Sequence, residues 1–247
     1  MKRCRWADPN SELYIAYHDN EWGRPEHDDR KLFEMLILEG FQAGLSWLTI
    51  LKKREAFRRA FDNCQPDVIV QYGPGKVETL MADAGIVRNR RKIEAAIRNA
   101  WVYLSIQREV GSFDRYLWSF TGGKVILNTD DEARAHTELS DRISKDLKHR
   151  GMSFVGTTII YAFLQAVGVV NDHELSCFCH PNNQEETAMV IPRMMNSTQG
   201  MATLLPNARY RAESEASERA VQPSGKPWRR SHSSGVRRRI NRRLSAC

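Results

Sequence analysis

Residues 33–47 read FEMLILEGFQAGLSW and place a carboxylate, Glu39, in a run that is otherwise apolar on nearly every side. A helix that is apolar all round is usually buried, and burying a carboxylate without a partner costs on the order of several kcal/mol. Glu39 must therefore have either an internal partner or a chemical role. In a helix, Glu39, Gln42 and Ser46 fall at i, i+3 and i+7, a narrow polar line that could face a cavity.

Five aromatic side chains are concentrated in the first fifth of the chain, around Glu39. They are Trp6, Tyr14, Tyr17, Trp22 and Trp47. In a helical protein such residues most often belong to the core. They could instead form a cage for a flat, cationic ligand, because a cation–π contact contributes about 0.5 to 2 kcal/mol per ring. In that interpretation Glu39 is the carboxylate at the rim of the cage.

Potential metal ligands lie at both ends of the first 180 residues. Cys4 and His18 are near the start, while His173 and Cys177 stand at i, i+4, the helical spacing that places two ligands on one face. A Cys₂His₂ set would form a closed tetrahedral zinc site. The alternative is that the histidines are simply hydrogen-bonded and the thiols are free. Two further residues could compete as ligands, Cys179 and His180.

Residues 80–93, LMADAGIVRNRRKI, predict a helix-hairpin-helix that binds DNA. Gly85 would allow close backbone approach, and the start of the second helix would offer amide hydrogens to a phosphate. That helix begins among basic residues that include Arg88, Arg90 and Lys92. The alternative is an ordinary turn followed by a solvated basic helix face.

Apolar residues at helical spacing predict the elements that must position these side chains. The predicted helices span residues 32–43, 47–61, 77–84, 93–106, 139–147 and 155–167. Gly44 is placed to end the first helix and Ser46 to cap the second. Only residues 124–128, KVILN, resemble a strand. The sequence therefore predicts an all-α domain.

The composition changes after residue 180. Residues 181–247 hold 12 Lys+Arg and 5 Asp+Glu, whereas the rest of the chain is balanced at 25 of each, so the net charge of +7 lies in this tail. The tail is rich in Ser, Arg and Gln and contains too little apolar surface to offset its ordering entropy. We predict a folded domain over residues 1–183 and a disordered basic tail over residues 184–247.

Three further features restrict the class of protein. The basic amino terminus has no apolar segment behind it, so a secretory signal is not indicated and a cytoplasmic protein is expected. No run of about 18 apolar residues is present, which argues against a membrane partner. The five cysteines are odd in number, as expected for metal ligands or free thiols rather than a disulfide framework.

Four stretches carry a family resemblance. They are RCRWADP (residues 3–9), LYIAYHDNEWGRPEHDDRKLFEMLILEGFQAGLSWLTILKKRE (residues 13–55), DAGIVRNRRKI (residues 83–93) and FVGTTIIYAFLQAVGVVNDHELSCFC (residues 154–179). Together they closely resemble the bacterial 3-methyladenine DNA glycosylase I family over residues 2–181. Members typically end near there, whereas this chain continues for another 66 residues.

The resemblance implies an all-α fold of the helix-hairpin-helix DNA glycosylase superfamily. It implies one structural zinc on Cys4, His18, His173 and Cys177, joining the two ends of the domain. It also implies that alkylated double-stranded DNA is the substrate and free 3-methyladenine the product. A monomer is expected.

The resemblance also implies roles for the residues around Glu39. Glu39 and Tyr17 would hydrogen-bond the base once it is flipped out of the duplex, as enzymes acting on bases require, and Trp47 would stack on it. Trp6, Tyr14 and Trp22 would line the cavity, and the loop with Gly44 and Leu45 would fill the gap in the base stack. The expected reaction is hydrolysis that leaves an abasic site and an uncut strand.

Two other classes of function remain open at this stage. A non-catalytic helix-hairpin-helix module could hold damaged DNA without excising a base, because a fold alone does not define an activity. A carrier of methylated purines would have no need of basic residues beside a hairpin glycine. Retention of Tyr17, Glu39 and Trp47 together favours the enzyme.

Overall fold

The computed structural model describes residues 1–183, which are mostly helical. In chain order the helices are α1 (Glu12–Asn20), α2 (Asp29–Gln42), α3 (Trp47–Ala60), α4 (Pro66–Ile69), α5 (Pro74–Ala82), α6 (Arg90–Val110), α7 (Phe113–Ser119), α8 (Glu138–His149) and α9 (Thr157–Ala166). Two short strands, β1 (Ile126–Leu127) and β2 (Val170–Asn171), and a 3₁₀ turn (Asp62–Cys64) complete this part of the chain.

All six predicted helices are confirmed, with shifted ends. The helices that periodicity did not predict, α1, α4 and α7, are short, so their patterns contain few repeats. The strand-like segment is confirmed at β1. It pairs in parallel with β2, which follows the last predicted helix and was not predicted, with Ile126 opposite Val170 and Leu127 opposite Asn171. The domain is therefore helical apart from this two-residue ribbon.

Helix α2 forms the centre of the core. Ten consecutive residues, Leu32 to Phe41, are buried, and this stretch includes both Glu34 and Glu39. The long helix α6 holds α2 at both ends. Tyr103 Oη donates to the Asp29 carbonyl at the start of α2 at 2.6 Å, and Lys92 Nζ donates to the Phe41 carbonyl near its end at 2.8 Å. Helix α6 is thereby hydrogen-bonded to both ends of α2.

The connection from α2 to α3 agrees with the predicted signals. Helix α2 ends at Gln42, and Gly44 adopts a φ of +82°, a conformation that favours glycine. Ser46 caps α3, and its side chain accepts from the Thr49 amide. The short loop therefore presents Leu45 with 41% of its surface exposed.

The predicted tail over residues 184–247 lies outside the described residues, so the domain boundary at residue 183 stays a prediction. Within residues 1–183, no helix combines the length and the hydropathy that crossing a bilayer requires.

Candidate active site

One cavity of about 370 Å³ brings Glu39 together with all five aromatic residues singled out in the sequence. The aromatic lining consists of Trp6, Tyr14, Tyr17, Trp22 and Trp47. Helix α1 supplies both tyrosines, α2 supplies Glu39, and Trp47 is the first residue of α3. Charged and amide side chains line the rest of the cavity. Aromatic faces beside polar groups, in a cavity of this size, suit a small planar ligand with a polar edge.

The aromatic rings contact one another mainly edge to face. Trp6 lies 5.0 Å from Trp22 and 5.7 Å from Tyr14 between ring centroids, both T-shaped, and the Tyr17 and Trp47 centroids are 5.4 Å apart. Such pairs contribute about 0.5 to 1.5 kcal/mol each beyond burial. These contacts stabilise the aromatic side of the cavity.

Tyr14 also positions Trp47. Its hydroxyl oxygen accepts a hydrogen bond from the Leu48 amide at 3.1 Å, so it satisfies one of the free N–H groups in the first turn of α3. The Ser46 cap satisfies another. These two contacts fix the start of α3 and therefore the Trp47 ring.

Within residues 1–183, just two buried side-chain nitrogen or oxygen atoms lack a hydrogen-bond partner. They are Glu39 Oε2 and Trp47 Nε1, and both residues line this cavity. Buried polar atoms in native proteins are nearly always paired, so each exception needs an explanation. One is a carboxyl oxygen and the other an N–H donor, which suits a ligand that offers both an acceptor and a donor.

The protonation state of Glu39 is set by its burial. Burial raises the pKa of Glu39 to about 8, because no cation or donor offsets its desolvation. The carboxyl group is therefore mostly neutral at pH 7 while the cavity holds no cation. Burial, and secondarily the Glu39 charge, also raises the pKa of Tyr17 well above its usual value. A positively charged ligand would reverse the shift on Glu39.

The opposite wall of the cavity was missed by sequence reasoning. It includes residues of the connection that follows β1, such as Asp131 and Arg134, together with Gln165 on α9 and Asp172 after β2. Asp172 accepts from Gln165 Nε2 at 2.6 Å and from the Tyr161 hydroxyl. The loop residues have no periodic signal, but Gln165 is a polar residue in an apolar helix, the same signal that identified Glu39.

The four predicted metal ligands converge. The ligand atoms of Cys4, His18, His173 and Cys177 lie within 4.8 Å of one another, and all four residues are buried. Cys177 Sγ lies 3.4 Å from His18 Nε2 and 3.5 Å from His173 Nδ1. Tetrahedral zinc with usual bond lengths places sulfur and nitrogen ligands about 3.5 Å apart. The residues therefore fit a metal ion of this kind.

The surrounding contacts orient both histidines toward the cluster. His18 Nδ1 lies 2.8 Å from Asp19 Oδ1, which leaves Nε2 for a metal, and His173 Nε2 lies 3.1 Å from the Trp22 carbonyl, which leaves Nδ1. The Glu174 amide donates to Cys4 Sγ and the Cys179 amide to Cys177 Sγ. Amide donors of this kind stabilise thiolates, the form that binds metal.

Of the two competing ligands, only Cys179 lies in a potential metal group. That group combines it with His18 and Asp19. His180 Nε2 instead faces the Asn128 carbonyl at 3.4 Å.

Comparison with known proteins decides the family. Residues 6–180 match the methyladenine glycosylase family. The chain is 49% identical over 187 residues to DNA-3-methyladenine glycosylase 1 of Escherichia coli K12, covering 74% of this chain and 100% of that protein. The chain belongs to the methyladenine glycosylase family.

Two solved glycosylase structures share the fold. A crystal structure of 3-methyladenine DNA glycosylase I aligns with a TM-score of 0.71 at 50% identity, covering 73% of this chain and all of the other. A tyrosine-to-phenylalanine variant of such an enzyme, crystallised with 3-methyladenine, aligns with a TM-score of 0.69 at 37% identity, covering 72% and 96%.

The predicted DNA contacts of this glycosylase fall into different environments. Leu45 is exposed beside Gly44, and Arg88 is exposed. Arg90 is also exposed and pairs with Glu78 at 2.8 Å. Lys92 does not fit the prediction: it is 7% exposed, and its ammonium is engaged by the Phe41 and Ala43 carbonyls. The helical pattern alone could not distinguish this inward face of α6 from a solvated one.

Gly85, in the turn between α5 and α6, is explained by close packing. A Cβ there would lie 2.9 Å from Asp83 Oδ1 and 3.0 Å from the Ala56 Cβ, so the close approach is to α3. The start of α6 is already capped, because the Asn89 side chain accepts from the Lys92 amide. The start of α9, at Gly156, has no side-chain cap. Amide hydrogens that could bind a phosphate are therefore more available at the start of α9 than at the start of α6.

Proposed function

We propose that this protein is a monofunctional DNA glycosylase that flips 3-methyladenine out of alkylated duplex DNA and hydrolyses its N-glycosidic bond. The products are free 3-methyladenine, an abasic site and an uncut strand. The observation that carries the proposal is the pair of unpartnered buried atoms, Glu39 Oε2 and Trp47 Nε1, in a cavity lined by aromatic rings. The flat face of a flipped purine base would stack on the aromatic rings, and its polar edge would supply hydrogen-bond partners for these two atoms.

In this proposal Glu39 and Tyr17 are the catalytic residues that touch the base. The Glu39 carboxyl accepts from the exocyclic amine, Tyr17 adds a second hydrogen bond, and Trp47 stacks on the ring. Trp6, Tyr14 and Trp22 close the cavity around it.

Charge favours the methylated base over adenine. Methylation at N3 makes the base in DNA cationic and weakens its bond to the sugar, so it departs as a neutral molecule and needs little activation. A cation in the cavity lowers the pKa of Glu39 below its value of about 8, so binding releases a proton and leaves an ion pair in a water-poor site. Neutral adenine gains nothing from this exchange.

Hydrolysis without strand cleavage agrees with the residues at the site. No lysine lines the cavity in the part of the chain that the structure describes, so there is no amine there to attack the sugar and form a Schiff base. The attacking group is then water.

The DNA backbone would contact the surface around the cavity mouth. Leu45, with Gly44 allowing the sharp turn, enters the space that the flipped base leaves. Arg88 and Arg90 supply charge to phosphates. The uncapped start of α9 is a better helix terminus for a phosphate than the capped start of α6. The second half of the same helix contributes Ala162 and Gln165 to the cavity.

We also infer one structural zinc on Cys4, His18, His173 and Cys177. Four protein ligands leave no open position for water, so zinc bound there would hold the two ends of the domain together rather than take part in hydrolysis. The fit of the ligand atoms to tetrahedral geometry supports this assignment.

The test is to incubate the protein with methylated duplex DNA and identify the released bases by chromatography. Release of 3-methyladenine, with strand breaks appearing only after alkali, is expected. Tight binding of methylated duplex with no base released would favour the non-catalytic module instead. Strand breaks without alkali would contradict the monofunctional mechanism.

A further inference from the structure

Lys92 is a buried cation held by main-chain carbonyls. Its ammonium donates to Phe41 O at 2.8 Å and to Ala43 O at 2.7 Å. Burial lowers its pKa, and within residues 1–183 it forms no ion pair with a carboxylate. A lysine that gives up water for two carbonyls must stabilise the segment that carries them.

That segment is the end of α2 and the loop after it. Helix α2 has no basic residue in its last turn, so its carbonyl end lacks a cation of its own. Lys92 supplies both the charge and two donors. Between its two acceptors, the Gln42 carbonyl accepts from the Leu45 amide at 2.7 Å. The base of the loop that presents Leu45 is thus tied by three hydrogen bonds, two of them from Lys92.

The same face of α6 also holds the turn between α8 and α9. Asn99, seven residues after Lys92, donates to the Ser153 carbonyl and accepts from its amide, both at 2.9 Å. The Lys92 ammonium lies 5.8 Å from the centroid of the Phe154 ring. Phe154 packs against Gly40, next to Glu39, where a Cβ would lie 3.5 Å from the Phe154 carbonyl. Lys92 therefore stands where the loop, the Glu39 helix and this turn meet.

We propose that Lys92 is a positioning residue for base extrusion, which fixes the loop carrying Leu45 relative to Glu39 and to the turn before α9. The inference rests on the proposed function and deepens it. Leu45 must enter the base stack while Glu39 receives the base, so their separation has to be set before DNA binds. Lys92 acts through these segments and touches neither base nor phosphate.

Lys92→Met tests the proposal because it keeps the length of the side chain and removes both donors and the charge. Arg98→Met, on an exposed part of the same helix, removes the same charge and serves as the matched control. The measurements are the single-turnover rate of 3-methyladenine release at saturating protein, the affinity for free 3-methyladenine, and the salt dependence of duplex binding.

The expected result for Lys92→Met is a release rate reduced by about 10-fold or more. Affinity for the free base should stay within about twofold, because Tyr17, Glu39 and Trp47 keep their own supports. The slope of log affinity against log salt should not change. Arg98→Met should release the base at the parent rate.

Two results would overturn the proposal. One is release by Lys92→Met at the parent rate. The other is a reduced rate together with a salt slope smaller by about one, which would identify Lys92 as a phosphate contact. If Lys92→Met does not fold, as judged by circular dichroism, Lys92→Gln takes its place, and a full release rate in that variant is equally contradictory. Failure of the unaltered protein to release the base would instead contradict the proposed function, and the inference would fall with it.

Discussion

Glu39 is a residue whose burial lowers the stability of the folded protein but places a carboxyl group in the cavity. Its carboxyl oxygen Oε2 is buried without a partner, and its pKa is raised to about 8. Nothing in the described fold requires a carboxyl group there, and a neutral amide would fit the same space. Residues that violate local rules in this way are expected at functional sites.

The raised pKa of Glu39 predicts a pH-dependent stability. The folded protein retains a proton on Glu39 that the unfolded chain loses near pH 4.5, so the free energy of unfolding falls as pH rises from about 4.5 to about 8. The loss is at most about 1.4 kcal/mol per pH unit in that range. Glu39→Gln should remove this loss and be more stable than the parent at pH 8 to 9, with little difference at pH 4.

Thermal unfolding of both proteins at each pH measures this. Glu94→Gln removes an exposed carboxylate from α6 and should leave the profile unchanged. Equal melting temperatures for Glu39→Gln and the parent at pH 9 would mean that Glu39 has an internal partner.

The elements that carry the site are held by polar contacts that hydrophobic periodicity does not reveal. The periodic pattern predicted α2 and α3, and the Gly44 and Ser46 signals predicted the loop between them. It could not predict that Tyr14 binds the Leu48 amide or that Lys92 binds the end of α2. Such long-range contacts depend on how helices pack, which spacing along one helix does not encode.

Tyr14→Phe should separate the two roles of Tyr14. It keeps the aromatic ring in the cavity and removes the acceptor for the Leu48 amide, so the protein should lose about 1 kcal/mol of stability. Affinity for free 3-methyladenine should also fall, since the Trp47 ring is less firmly held.

Ser112→Ala is the matched control for that experiment. It removes the cap of α7, which accepts from the Arg115 amide at 3.0 Å, and it should lower stability by a similar amount without changing base affinity. A Tyr14→Phe variant with parent-like stability would show that the hydroxyl does not support α3.

At the scale of the whole domain, the two ends of the described segment, residues 1–183, meet at the Cys₂His₂ cluster. Sequence spacing suggested that His173 and Cys177 share a helix face, whereas the structure places both in the non-helical segment after β2. The spacing left their joining to Cys4 and His18 undecided. The family resemblance supplied that link, and the fold brings all four together. The cavity wall from residues 128–134 had no such signal and became visible only in three dimensions.

The zinc assignment predicts one equivalent of zinc in protein purified without chelator. Cys177→Ser should lose most of it and unfold at a lower temperature, because metal binding to this set contributes to folding. Cys64→Ser, at a buried cysteine outside the cluster, is the control and should keep its zinc. Zinc-free parent protein, or full metal content in Cys177→Ser, would contradict the assignment.

The basic tail is predicted to add affinity for DNA that does not depend on sequence. Deleting residues 185–247 should weaken duplex binding and flatten its salt dependence, because the arginines of the tail no longer displace counterions. Excision of 3-methyladenine should persist, since every proposed site residue lies within residues 1–183. An unchanged salt slope in the truncated protein would leave the tail without this role.

The most direct test of the account is titration of free 3-methyladenine into the parent protein and into Glu39→Gln. If the hydrogen-bond partner that Glu39 lacks is the flipped base, the variant should stay folded and keep its zinc and duplex binding. Its affinity for the free base, which is neutral, should fall by about 0.5 to 1.5 kcal/mol, the usual contribution of one hydrogen bond. A Glu39→Gln protein that binds 3-methyladenine as tightly as the parent would show that Glu39 belongs to the scaffold.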